Sequence, residues 1–129
     1  MNSASSLASG AMGQLTTHVL DLATGVPAAG VRIEVHEDRG PGVPVPLAAA
    51  VTADNGRVAA PLLTGAALRA GRYTLTFHVA EYFRGRGVAL PEPAFIEQAV
   101  IRIGIADPRE NYHVPLLITP WSYSVYRGG

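Results

Sequence analysis

Cysteine is absent from this chain of 129 residues. That excludes disulfides, thiolate nucleophiles and cysteine-ligated zinc. Charge is scarce: 16% of residues are Asp, Glu, Lys or Arg, against about 25% in an ordinary soluble domain. A small body with so few charges has surface to bury, and the expected cover is another subunit. The ten basic and ten acidic residues cancel, and no basic stripe interrupts the balance, so nucleic acid is not an expected partner. No apolar run approaches the ~18 residues of a membrane span, so no membrane partner is expected either. Residues 1–13, "MNSASSLASGAMG", lack the basic start and long apolar stretch of a secretory leader. They read as a disordered extension, followed by one domain over 14–129, with the cytoplasm as the default location.

What the chain does have is alternation. "GVRIEVHED" sets Val31, Ile33 and Val35 against Arg32, Glu34 and His36, the pattern of a half-buried strand. "GRYTLTFHV" repeats it, with Tyr73, Leu75, Phe77 and Val79 inward and Thr74, Thr76 and His78 outward. "QLTTHVLDLATG", "FIEQAVIRIGIAD", "NYHVPLLITP" and "WSYSVYR" also read as strands, the last running on to the terminus. "LAAAVTADNGRVAAP" reads as a hairpin, because an Asn-Gly pair between strand-like runs is a strong short-range hairpin signal. "AEYFRGRG" predicts a short helix stopped by its glycines. About eight strands, one helix and turns at regular intervals predict an all-β, antiparallel sandwich.

Strand phase sorts the four histidines. His36 and His78 fall on polar faces, where solvation is the plain expectation. His18, in "TTHVLD", is in phase with Thr16 and Leu20; His113, in "NYHVPLL", is in phase with Pro115 and Leu117. For each the plain expectation is a buried, hydrogen-bonded structural histidine, and a proton handler is the alternative. Arg57 leaves the Asn55-Gly56 turn, where a solvated charge and a guanidinium aimed at an anion or carbonyl fit equally. Asp21 points opposite to His18 in strand phase, which argues against a metal site built from His18, Asp21 and His113. No serine sits in a nucleophile elbow, and "RGRG" at 84–87 lacks the context of a phosphate-binding loop.

Four separated motifs, "LTTHVLDLATGVPAAGVRIEV", "TADNGRV", "AEYF" followed by "GV" at 87–88, and "YHVPLLITPWSYSVYRGG", occur in this order across residues 14–129. Together they resemble the 5-hydroxyisourate hydrolases of the transthyretin-like family. The resemblance implies an eight-stranded transthyretin-like sandwich and a homotetramer, a dimer of dimers, with sites in the channel where dimers meet. It implies hydrolytic opening of the six-membered ring of a small-molecule substrate, 5-hydroxyisourate, with no metal or organic cofactor. It assigns His18, Arg57 and His113 to catalysis and the tail Tyr126, Arg127, Gly128 and Gly129 to substrate binding. The family's usual ending is Tyr-Arg-Gly-Ser, so Gly129 stands where serine is expected. The alternatives carried forward are a transthyretin-like carrier of small ligands, a paralogue acting on another heterocycle, and a structural sandwich module.

Overall fold

The computed structural model describes residues 12–129. The expected extension lies mostly outside them. Its last residue, Gly13, is buried, and its N–H donates to the Pro108 carbonyl at 2.9 Å.

Two sheets face each other. The first orders β2 (Val26–Pro27), β1 (Gln14–Asp21), β8 (Tyr112–Ile118) and β9 (Tyr123–Val125), with β5 (Leu63–Thr64) also paired to β1. The second orders β4 (Val45–Val51), β3 (Arg32–Asp38), β6 (Gly71–Phe77) and β7 (Ala99–Ile105). Alternation does what alternation should: Leu15 and Val19 of β1, Ile33 and Val35 of β3, Leu75 and Phe77 of β6, and Leu116 and Ile118 of β8 are essentially sealed from solvent between the sheets. Such burial drives the two layers together, at ~25 cal/mol per Å² of apolar surface removed from water. The helix α1 (Val79–Gly85) follows β6 directly and buries Val79, Ala80, Tyr82 and Phe83.

The expected all-β sandwich with one short helix is therefore present, with three differences of detail. First, β1 and β8 pair in parallel, whereas every other strand pairing among the described residues is antiparallel. Alternation reports which face a residue takes, not which way its neighbour runs, so the sequence carries no sign of this. Second, Asn55-Gly56 does not close a hairpin on β4. The chain leaves β4 in one sheet and pairs Arg57 with His18 of β1 in the other. Third, Glu37 falls in the core phase of β3 and is buried. Arg69 and Arg39 reach it with hydrogen bonds of 3.0 and 2.9 Å. Burial alone would raise its carboxyl, but those two guanidinium contacts outweigh it and hold it below the ordinary value.

His78 also departs from expectation. It lies on the outer face, yet its side chain is only 12% exposed and its Nε2 contacts Glu34 at 2.8 Å. Arg32, at 3.3 Å from Nδ1, covers the other side of the ring and is itself bound by Glu81 through two contacts.

Candidate active site

The site is built on the outer face of the first sheet. In β1 the odd residues are buried and Gln14, Thr16, His18 and Leu20 face outward. The parallel register sets Thr16 opposite His113 and His18 opposite Pro115. Both histidines therefore stand on the same face of neighbouring strands, offset by two residues, and both are half-buried.

The 53–57 turn brings the third group. Its own bonds run from the Gly56 N–H to the Ala53 carbonyl and from the Ala53 N–H to the Arg57 carbonyl. The Asn55 side chain accepts from the Arg57 N–H at 2.9 Å. The turn is pressed against β1: the Val19 N–H donates to the Gly56 carbonyl at 2.8 Å. Glycine is required at 56 on two counts. Its φ is +80°, and a Cβ there would lie 2.4 Å from the Val19 carbonyl oxygen. The same turn fixes His18, whose Nε2 lies 3.0 Å from the Asn55 carbonyl. A carbonyl only accepts, so Nε2 carries the proton and neutral His18 keeps its lone pair on Nδ1. Arg57 is exposed, and its guanidinium has no ion-pair partner among the described residues. It opens onto a cleft of about 490 Å³ floored by Gln14, Thr16 and Thr17 and walled by residues 58–61.

The tail reaches His113 from the β9 side. β9 pairs with β8 from Ile118–Tyr123 to Leu116–Val125, and the same register reappears as a single bridge at His113–Gly128. Pro115 lies between, has no N–H to give, and accounts for the gap in the ladder. Gly128 donates to the His113 carbonyl at 2.8 Å. A Cβ at this position would lie 2.7 Å from His113 Cδ2 and 3.2 Å from Pro115 Cγ, so only glycine lets the tail close on the ring.

His113 thus has Gly128 on one edge, Thr16 on the other at 2.8 Å from Nδ1, and two basic groups nearby. Burial, then the Arg57 charge, then His18, depress its pKa below the ordinary 6.5. Each of these influences favours the neutral imidazole.

Four of the expected site residues, His18, Arg57, His113 and Gly128, are thus gathered within one chain. The remaining three are placed differently. Arg127 is turned to the other face: its guanidinium bonds Glu110 and the Asn111 carbonyl, each at 3.0 Å, and lies 4.3 Å from the Tyr112 ring centre. Tyr126 is exposed and lines a separate cleft of about 350 Å³ between the β7 and β9 edges. Gly129 has open space where a side chain would project. Asp21 is buried on the inner side, accepting from Tyr82 at 2.9 Å and from the Ala23 and Thr24 N–H groups, so it does not join the histidines. Thr16 and the Asn55 carbonyl are the contacts that strand phase alone does not reveal. The first depends on the β1–β8 register and the second on where the turn lands.

Residues 15–128 match the HIUase/Transthyretin family. Among curated proteins, the 5-hydroxyisourate hydrolase of Pseudomonas aeruginosa is 50% identical over 117 residues, covering 91% of this chain and 92% of the relative. Among solved structures, an (S)-allantoin synthase superimposes with a TM-score of 0.85 at 40% identity, over 92% of this chain but 44% of that longer one. Sea bream transthyretin in complex with thyroxine gives a TM-score of 0.80 at 26% identity, over 89% of this chain and 94% of that one.

Proposed function

Because the chain belongs to the HIUase/Transthyretin family, we propose that it hydrolyses 5-hydroxyisourate, opening the six-membered ring to 2-oxo-4-hydroxy-4-carboxy-5-ureidoimidazoline. The observation that carries this reading is the convergence at one sheet face of His113, His18 and the Arg57 guanidinium, which has no ion-pair partner among the described residues.

In the proposed mechanism His113 is the general base. It takes a proton from a bound water as the water oxygen attacks the ring carbonyl carbon. A depressed pKa makes a weaker base but favours the unprotonated form that can take a proton. His18, with Nε2–H held by the Asn55 carbonyl, accepts from the same water through Nδ1 and orients it. Arg57 faces the oxygen on which negative charge develops, where a placed donor contributes most. The tetrahedral centre then collapses, the carbon–nitrogen bond breaks, and the proton held by His113 passes to the leaving ring nitrogen. The carboxy and ureido groups of the product are the two sides of that broken bond. No covalent nucleophile is required; the chain's contribution is positioning and proton transfer.

The sea bream likeness keeps the carrier reading in view. A carrier has no use for a neutral histidine beside a guanidinium, so the site favours the hydrolase. Gly129 is the one feature favouring a different heterocycle. The open space around it accommodates a serine, and a lost neutral hydrogen bond is a modest deficit rather than a change of reaction.

The proposed assembly is a dimer of dimers. β7 and β9 are sheet edges, and exposed Val100, Tyr123 and Val125 lie on them. Apolar, unpaired edges of this kind are covered in stable proteins.

Four outcomes are expected. Added to 5-hydroxyisourate generated from urate and urate oxidase, the protein accelerates the ultraviolet decay above the spontaneous rate. His18→Ala, Arg57→Ala and His113→Ala each lower kcat/KM by at least about 10²; wild-type rates in all three remove the site assignment. Gly129→Ser raises kcat/KM by no more than about tenfold, and a larger gain identifies the terminal hydroxyl as a proton relay. Light scattering at micromolar concentration gives a tetramer mass, and a monomer mass contradicts the assembly.

A further inference from the structure

A histidine that acts as a base through one nitrogen needs its proton fixed on the other. In His113 the Nδ1 edge faces Thr16 Oγ1 at 2.8 Å, and among the described residues Nε2 has no protein partner. The contact is built in by the fold. Thr16 and His113 are directly opposed in the parallel β1–β8 ladder, and both project from the outer face. Next along β1, Thr17 takes a different job, donating its hydroxyl to the Val114 carbonyl at 2.7 Å inside the sandwich. The adjacent threonines are therefore not interchangeable: one closes the sheet, the other touches the ring.

The geometry points to Thr16 as a positioning residue that accepts the Nδ1–H of His113 and so leaves the lone pair on Nε2. A hydroxyl can serve the ring as donor or as acceptor, and the surroundings select the acceptor role. The charged and titratable groups acting on the ring are Arg57, from the turn, and His18, from β1. On the β9 side the ring meets the Gly128 backbone, while the Arg127 guanidinium lies on the other face of the sheet, over Tyr112. Positive potential from Arg57 disfavours a second proton, and the single remaining proton gains from the nitrogen that has a fixed acceptor. An uncharged acceptor also suits the task better than a carboxylate. It orients the ring without raising its pKa, so His113 stays neutral where an aspartate partner would hold it protonated.

This inference rests on the water-activating reading of the site, and its test separates the two. Long-range proton–nitrogen NMR spectra report the His113 tautomer directly. The wild-type protein is expected to show Nδ1 protonated and Nε2 bare. Thr16→Val is expected to shift the population toward the Nε2–H form that isolated imidazoles favour in water. It should also lower kcat/KM for 5-hydroxyisourate by about two- to tenfold, the worth of one neutral hydrogen bond. Thr16→Ser, which keeps the hydroxyl, restores both. A wild-type His113 already in the Nε2–H form overturns the inference, as does a valine variant with an unchanged tautomer or a serine variant that fails as valine does. If the wild-type protein leaves 5-hydroxyisourate decay unaccelerated, the functional reading falls, while the spectra still decide whether Thr16 holds the ring.

Discussion

β1 and β8 run parallel in a register that sets Thr16 opposite His113, and every group of the proposed site takes its place from that ladder. A slip of one residue would turn His113 into the sandwich and bring Val114 out. The core enforces the register, because Leu15, Val19, Leu116 and Ile118 must all point inward for the sheets to pack. The hydrophobic requirement that stabilises the fold thus also sets the face of the proposed site. No separate device is needed to bring the histidines together.

Two short segments complete the arrangement by crossing between elements. The 53–57 turn leaves the second sheet and lands on the first, fixing the His18 ring through a carbonyl and delivering Arg57 beside it. The tail comes from the other side, and the absence of a side chain at Gly128 lets it close on His113. Arg127 anchors that tail from behind through Glu110, the Asn111 carbonyl and the Tyr112 ring, rather than reaching the histidines itself. A face with a neutral base, an oriented second imidazole and an open cation is suited to polarising a carbonyl and delivering water to it.

Much of this was legible in the residues, for local reasons. The alternation of "GVRIEVHED" and "GRYTLTFHV" reads as strand because side chains alternate across a sheet, and the glycines after "AEYF" stop a helix found at Val79–Gly85. His18 and His113 separate from His36 by phase. What could not be read is what depends on partners distant in sequence. Asn55-Gly56 announces a turn, since its chemistry is local, but not which sheet receives the exit. Phase puts His78 outside without revealing that Glu34 and Arg32 cover it. The tail motif names Arg127 without saying which side of the sheet it takes.

The central claim is that burial and the neighbouring Arg57 cation together hold the His113 pKa below its ordinary value. An NMR titration of the His113 ring in the wild-type protein and in Arg57→Gln measures this directly. The account predicts a wild-type midpoint below the ordinary 6.5 that rises when the cation is removed. A midpoint at or above 6.5 that does not move in the variant would contradict it.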